Sequence, residues 1–249
     1  GSLRRRLCLE LICKSLRRGG GRCVTTALDF AHFPPYPCAV MSDSRPAPFL
    51  TASVTARDLT LSRGGRTLVR GLSLSARAGE AWVLTGSNGA GKTTLLRALA
   101  GLIRPDAGAV TVAPGEASIA YLGHAEGLKP GETVRDALTF WTRLNGGDPV
   151  RVEAVMEQLA VAHLASRPCN TLSAGQKRRT ALARIVLSDR PVWLLDEPAA
   201  PLDAVSRERL ARMAAEHRAR GGCVIATTHA ALGWPETQTL QISPAELSP

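Results

Sequence analysis

The chain has 249 residues, of which 45% are hydrophobic, and its mean hydropathy is close to zero. This composition predicts a globular protein with a sizeable core, and the lack of any window of about 18 apolar residues excludes a chain that spans a membrane by itself. The formal net charge is +10, but residues 1–40 hold seven basic and two acidic side chains and so carry half of the excess. Because the remainder is only mildly basic, we expect no direct nucleic-acid partner.

Residues 1–48 differ in composition from the rest of the chain. They include a basic head, an Arg17-Arg18 pair followed by three glycines, and a proline-rich stretch at 31–37. Glu10 interrupts the apolar patch that a targeting segment would need. We interpret Met41, which opens a hydrophilic stretch, as the natural first residue, and residues 1–48 as a disordered basic leader whose first 40 residues are upstream translated or vector-derived sequence. A membrane-surface or organelle-targeting arm is the alternative.

The predicted domain covers residues 49–245 and opens with strands. Val54–Ser62 and Leu68–Ser75 alternate apolar and polar residues on either side of a Gly64–Gly65 turn, a pattern typical of half-buried antiparallel strands. The next predicted elements are a buried strand, a helix and two further strands, at Trp82–Thr85, Leu95–Ala100, Ala109–Val112 and Ile119–Leu122.

The second half of the domain is predicted to be helical first and then alternating. Residues 132–165 have a helical apolar period, and Ser173 is placed to cap a basic helix that ends near Leu187. Strands and helices then alternate, which favours a parallel sheet with helices on its faces. These last predicted elements are a strand at 192–195, a helix at Ser206–Arg218, and strands at Cys223–Thr228 and Gln238–Ile242.

A glycine-rich segment lies between the predicted strand at 82–85 and the predicted helix at 95–100. Its spacing, G-x-x-x-x-G-K-T, is typical of a phosphate-binding loop. In such a loop backbone N–H groups surround the α- and β-phosphates, the lysine reaches the β- and γ-phosphates, and the hydroxyl after it can bind Mg²⁺. We therefore predict an ATP site, with Thr93 as a Mg²⁺ ligand. The nucleotide-binding residues predicted in this loop are Gly86, Ser87, Asn88, Gly89, Ala90, Gly91, Lys92, Thr93 and Thr94.

Two adjacent carboxylates follow the buried strand at 192–195. Asp196 is placed to hold Mg²⁺ directly or through water, and Glu197 is placed to polarise a water molecule for attack on the γ-phosphate. A single acidic residue at a strand end can be no more than a solvated turn. Two of them downstream of a phosphate loop favour a nucleotide hydrolase over an enzyme that transfers phosphate to a second substrate.

The segment Leu-Ser-Ala-Gly-Gln at 172–176 is the most diagnostic stretch. Its serine hydroxyl, its glycine backbone and the following helix N-terminus can bind an anion that the chain's own phosphate loop does not need. With the loop and the acidic pair, this segment resembles the L-S-x-G-Q signature of ABC transporter nucleotide-binding subunits, over about residues 50–243. The resemblance implies an α/β P-loop NTPase fold of the ABC type, with a mixed sheet core, an antiparallel β flank and a helical lobe at about 127–187.

The family resemblance also implies a homodimer. In that family two copies pack head to tail, so that Ser173, Gly175 and Gln176 of one copy would close on the γ-phosphate of ATP held by the other. Asp203 matches a residue that faces the opposite copy. His229 matches a catalytic histidine that hydrogen-bonds the γ-phosphate. Integral membrane subunits are the further partners that the resemblance implies.

Two positions depart from the family pattern. The aromatic residue that usually stacks on adenine would fall near Arg63, whose guanidinium can stack less specifically. The glutamine expected after the strand at 119–122 is replaced by the run His124-Ala125-Glu126. Either Glu126 or His124 could sense the metal there, or the link could run through backbone and water.

Shorter sequence segments make the resemblance more specific, pointing to one subfamily. The segments that carry it, Gly86–Asn88, Ala100–Gly108, Tyr121–His124 and Gly127–Lys129, resemble ATP-binding subunits of the haem exporters of bacterial cytochrome c maturation. This implies a peripheral protein on the cytoplasmic face of the bacterial inner membrane, bound to integral subunits, whose ATP hydrolysis drives haem delivery. We expect no direct haem site, because the chain lacks Cys-x-x-Cys-His and its histidines are scattered.

Two other functions compete with this interpretation. The first is the ATPase subunit of another small-solute ABC transporter, which the same motifs would serve. The second is a soluble ABC protein of DNA repair or translation. That class needs long coiled-coil insertions or two tandem ATPase units, and the sequence shows neither.

Overall fold

A computed structural model describes Phe49 and residues 51–229 and 232–243. The leader predicted at 1–48 lies outside these described residues. Within them, no helix combines the length and the apolar character that crossing a membrane requires.

Eight strands and five α-helices make up the described part of the chain. In chain order they are β1 Ser53–Arg63, β2 Arg66–Arg77, β3 Ala81–Thr85, α1 Lys92–Leu99, β4 Ala107–Ala113, β5 Ile119–Leu122, α2 Val134–Leu144, α3 Arg151–Gln158, α4 Ala174–Leu187, β6 Val192–Leu195, α5 Ala204–Ala219, β7 Cys223–Thr227 and β8 Thr237–Gln241. Short 3-10 helices cover Glu116–Ser118, Ala162–Leu164 and Cys169–Thr171.

The strands form two separate sheets. The first has three antiparallel strands in the order β2-β1-β4, and its hairpin turns at Gly64 and Gly65, both with positive φ. The second has five strands in the order β5-β6-β7-β3-β8, all paired in parallel. The predicted α/β class and antiparallel flank are confirmed. The core was expected to be one mixed sheet, but the antiparallel pairs lie in the first sheet and the parallel pairs in the second.

Helix α1 lies between the two sheets. It contacts both β1 and β7. Its leucines Leu95, Leu96 and Leu99 are fully buried in one cluster with Leu59 of β1 and Leu84 of β3. Because the phosphate loop joins β3 to α1, this packing fixes both ends of the loop.

Helices α2, α3 and α4 form a helical lobe. They pack on one another around buried apolar side chains such as Leu138, Met156 and Leu182. The chain starts α2 with Thr133, whose hydroxyl accepts the backbone N–H of Asp136 at 3.2 Å. A turn that contains Gly146, with φ 74, separates α2 from α3.

His217 on α5 is a buried histidine in an apolar site. Its ring stacks on Trp193 with 3.9 Å between centroids, and its Nε2 donates to the carbonyl oxygen of Pro191 at 3.0 Å. Burial lowers the pKa of His217 from 6.5 to about 4. The folded protein therefore keeps this ring neutral at pH values where an unfolded chain would protonate it.

Acidification should destabilise the fold through His217. Because its folded pKa lies below its unfolded value, the stabilising contribution is complete above pH 6.5 and is lost as the pH falls towards 4, by about 3 kcal/mol in total. Urea unfolding at several pH values measures this change. His217→Phe, which keeps a ring against Trp193, should lose less stability over the same range. Equal losses in both proteins would contradict the assignment.

Candidate nucleotide site

The phosphate loop runs from the end of β3 to the start of α1 and depends on glycine at two points. Gly86 has φ 142, and a Cβ on it would collide with the backbone carbonyl of Ile242. Gly91 has φ 102, and a Cβ there would come within 3.0 Å of Leu68 Cβ. Only glycine tolerates both the conformation and the close approach, so both positions require glycine.

Lys92 begins α1 and turns its side chain back over the loop. The residue is 7% exposed, and its Nζ donates to the carbonyl oxygens of Gly86 at 2.8 Å and Ser87 at 3.0 Å. An ammonium group has three N–H donors. The two loop bonds therefore hold the lysine head in place and leave one donor for a bound anion.

A hydrogen-bonded trio of side chains joins the loop to the end of β6. The Thr93 hydroxyl donates to Asp196 Oδ1 at 3.1 Å, and the Thr227 hydroxyl donates to the same oxygen at 2.8 Å. Asp196 is only 3% exposed. Two residues that the sequence assigns to one metal, 103 positions apart, thus lie in direct contact.

Glu197 and His229 face each other beside this trio. Glu197 Oε1 lies 3.3 Å from His229 Nε2 and has no hydrogen-bond donor among the described residues. The backbone of Glu197 adopts a left-handed conformation with φ 48, and its N–H donates to the Thr227 hydroxyl at 2.9 Å. The His229 side chain is about half exposed, whereas that of Glu197 is largely buried.

One cavity of about 360 Å³ brings these groups together. Residues of the loop line it together with Glu197 and His229. Arg63, the residue expected near adenine, lines the cavity, and no phenylalanine, tyrosine or tryptophan is among the described lining residues. The described lining residues are Arg63, Leu68, Asn88, Gly89, Gly91, Lys92, Thr93, Thr94, Glu197 and His229.

The signature segment lies apart from this cavity. Ser173 caps α4 in a reciprocal arrangement: its hydroxyl accepts from the Gln176 N–H at 3.3 Å, and its own N–H donates to Gln176 Oε1 at 2.9 Å. None of Ser173, Gly175, Gln176 and Asp203 is among the described residues that line the cavity. One copy of the chain thus does not bring its own signature to its own loop.

The signature segment instead lies next to the loop before α5. A Cβ on Gly175 would come within 3.0 Å of the Pro201 carbonyl oxygen. Asp203 is exposed and caps α5, accepting the Ser206 N–H at 2.8 Å, and hydrogen bonds from Ser206 lower the pKa of its carboxyl. Ser173 and Asp203 are both exposed on this part of the surface.

The segment that replaces the expected glutamine does not reach the cavity through its side chains. His124 is exposed and Glu126 is half-buried, and neither is among the described lining residues. The carbonyl of Gly123 instead accepts a hydrogen bond from Arg178 at 2.9 Å.

Two side chains that organise this site, Thr227 and Arg178, were not among the residues predicted from the sequence. Thr227 bonds to both acidic residues, and Arg178 bonds to their backbone carbonyls. A signal for Arg178 was present, because it falls at helical spacing in line with Leu182 and Ile185 on the buried face of α4. A charged residue on such a face needs polar partners.

Comparison with known proteins identifies the family. The family model described as "ABC transporter" matches residues 69–200. The chain belongs to the ABC transporter family. The relatives include the "Cytochrome c biogenesis ATP-binding export protein CcmA" of Maricaulis maris, 50% identical over 192 residues that cover 74% of this chain and 89% of the relative. The protein of the same name from Paracoccus denitrificans is 46% identical and covers 78% and 91% of the two chains.

Solved structures of ABC ATP-binding proteins share the fold. A putative ABC transporter ATP-binding protein from Pyrococcus furiosus has a TM-score of 0.68 at 22% identity, over 76% of this chain and 97% of that one. An ATP-binding subunit of an ABC transporter has a TM-score of 0.65, also at 22% identity, over 71% and 79%. Together with the family match, the fold and its loop identify the chain as an ABC-type ATP-binding ATPase subunit.

Proposed function

We propose that this chain is the ATP-hydrolysing subunit of a transporter complex that exports or delivers haem for cytochrome c biogenesis. The proposed ATP hydrolysis is supported by one observation: Thr93 contacts Asp196 beside the Glu197–His229 pair, all at the phosphate loop. The names of the CcmA relatives support the pathway. We infer haem as the cargo, because c-type cytochromes attach haem at Cys-x-x-Cys-His and their biogenesis therefore needs a supply of it.

In the proposed reaction, the loop at 86–94 holds the triphosphate and Lys92 binds the β- and γ-phosphates. Glu197 accepts a proton from the attacking water as the oxygen of that water bonds to the γ-phosphorus. The bond between the γ-phosphorus and the β–γ bridging oxygen breaks at the same time. ADP leaves with the electron pair of the broken bond, and the proton held by Glu197 passes on to the phosphate products. His229 donates a hydrogen bond to the γ-phosphate. The buried Oε1 of Glu197, free of protein donors in the described part, suits a base.

Thr93 and Asp196 fit a Mg²⁺ ion. Hydroxyl and carboxylate oxygens are ligands that Mg²⁺ prefers, and it usually takes one or two carboxylates together with phosphates and waters. Asp196 Oδ1 already faces the Thr93 hydroxyl. When bound, the ion would neutralise phosphate charge.

The active unit proposed here is a homodimer in which each ATP lies between two copies. Ser173, Gly175 and Gln176 are exposed or half-buried, lie outside the cavity of their own chain, and include a helix N-terminus that favours anions. They would close on the γ-phosphate held by a second copy. Asp203, next to them on the surface, would face that copy.

Membrane association is proposed to come from integral subunits. The ATPase, residues 49–245, would sit as a peripheral protein on the cytoplasmic face of the bacterial inner membrane, bound to the integral subunits of its transporter. Neither nucleic acid nor haem is expected to bind this chain directly. Its contribution would be the ATP-driven closure and opening of the dimer, passed on to the membrane subunits.

Deleting this protein from its bacterium should abolish c-type cytochromes. Haem-stained gels should show c-type bands restored by the wild-type chain and not by Glu197→Gln, with non-covalent haem proteins unaffected. Affinity purification of the full chain with its membrane partners would identify the transported class independently. Normal c-type cytochromes in the deletion strain, with recovery of an amino-acid or peptide permease, would establish the small-solute alternative instead.

A further inference from the structure

Arg178 is a buried arginine at the junction of the signature helix and the sheet. It lies on α4, five residues after Ser173, and is 3% exposed. Most arginines in proteins are exposed unless their charge and N–H groups are matched. The partners of Arg178 therefore define what it does.

The guanidinium of Arg178 donates to three backbone carbonyls at the carboxyl ends of two neighbouring strands. Nη1 donates to Gly123 at 2.9 Å, just beyond β5, and Nη2 donates to Glu197 at 2.8 Å and also to Asp196, just beyond β6. Where strands leave a sheet, their carbonyls lose ladder partners and must find other donors. The planar fork of an arginine presents N–H groups on separate nitrogens, here one to each strand end, whereas a lysine has its three N–H groups on a single nitrogen.

These bonds hold the backbone of Glu197 in an unusual conformation. Its φ of 48 is uncommon for a residue other than glycine and persists only where surrounding contacts enforce it. The Glu197 N–H is fixed by Thr227 at 2.9 Å and its carbonyl by Arg178 at 2.8 Å. This doubly held turn sets the direction of the Glu197 Cα–Cβ bond, from which the carboxylate extends.

The charges around Arg178 also favour its contacts with the ends of β5 and β6. The negative charges of Glu126, Asp196 and Glu197 lie near enough to the Arg178 guanidinium to stabilise its positive charge. Glu126 stands in the segment where the family expects glutamine. An acidic residue there suits a buried arginine at position 178.

We propose that Arg178 is a positioning residue for hydrolysis, which ties the helix that begins at Ser173 to the backbone of Glu197. Movement of α4, when the nucleotide of a second copy binds at Ser173 and Gly175, would be passed by this guanidinium to the base. The proposal rests on the roles given above to Glu197 and to the dimer. It adds a direct physical link between the two.

Arg178→Lys tests this link, with Arg178→Gln as a second variant. An ammonium keeps the charge, but all its donors sit on one nitrogen, so it cannot reproduce a fork that reaches both strand ends, and Glu197 should lose its alignment. In the full chain with its membrane partners, we expect kcat to fall by about 10²-fold, the loss typical of a catalytic group displaced by about 1 Å. The KM for ATP should stay within about twofold, because Arg178 does not line the cavity.

Arg184→Lys is the matched control. Arg184 lies six residues later on the same helix, and burial lowers its pKa, but its guanidinium lies over Trp141 with 4.8 Å to the ring centroid. This variant should lose thermal stability comparable to Arg178→Lys and keep the wild-type kcat. A structural role alone would make the two variants behave alike.

The outcomes separate this proposal from the function on which it rests. If Arg178→Lys keeps a kcat within about twofold of wild type while Glu197→Gln is inactive, Arg178 does not position the base. If Glu197→Gln is also active, the proposed base itself is wrong. If neither Arg178 variant folds, or if KM rises as kcat falls, Arg178 stabilises the protein and the positioning role is wrong.

Discussion

Glu197→Gln is expected to lower kcat for ATP hydrolysis by about 10²–10⁴-fold while ATP still binds. Glutamine has nearly the shape of glutamate but cannot accept the proton of the attacking water. The phosphate contacts come from the loop and Lys92, and the contact of Thr93 with Asp196 does not involve the Glu197 side chain. Binding and closure should therefore survive the loss of chemistry.

The consequence for assembly is a trapped dimer. With ATP and Mg²⁺ present, size-exclusion chromatography of Glu197→Gln should show a stable dimer that dissociates once nucleotide is removed. Glu216→Gln is the control for loss of a carboxylate: Glu216 is exposed on α5, accepts from Gln158 Nε2 at 3.2 Å, and should leave kcat unchanged. Rapid ATP hydrolysis by Glu197→Gln would mean that another group is the base.

Local patterns predicted much of this site. The loop at 86–94 is specified by its own glycines and lysine, and its strand and helix flanks are each set by neighbouring apolar residues. The start of α4 was equally predictable, because Ser173 and Gln176 cap the helix by bonds within four residues. Such features depend on contacts between residues close in sequence.

Contacts between distant segments were not predictable in the same way. Alternation marked β1 and β2 as half-buried strands, but nothing local shows that β4 joins them instead of the parallel sheet. Thr227 looked like the end of an apolar strand, and its bonds to Asp196 and Glu197 span about 30 residues of sequence. The partners of Arg178 are up to 55 positions away. Tertiary packing decides these pairings.

The separation of signature and loop has a testable consequence at Ser173. Because Ser173 is exposed and lies outside the cavity of its own chain, Ser173→Arg should leave ATP binding to the monomer unchanged. In the dimer the long side chain would occupy the space that the γ-phosphate of the other copy needs. We expect kcat to fall by about 10²-fold or more, the range seen when donors to a transition state are removed.

A second capping residue provides the control for this substitution. Ser173 also caps α4, and replacing a capping residue costs about 1 kcal/mol of stability. Thr133→Arg removes the equivalent cap of α2, whose hydroxyl accepts the Asp136 N–H, and should cost similar stability without loss of kcat. Fluorescent-nucleotide binding, ATPase assays and thermal unfolding of both variants separate the two effects.

Combining Ser173→Arg with Glu197→Gln gives the sharpest form of the test. Glu197→Gln alone should form an ATP-dependent dimer, whereas the double variant should bind ATP and remain monomeric, because closure is blocked before hydrolysis. If the double variant dimerises with ATP, or if Ser173→Arg alone hydrolyses ATP at the wild-type rate, Ser173 does not face the nucleotide of a second copy. The loop at 86–94 would then be a site that one chain completes by itself.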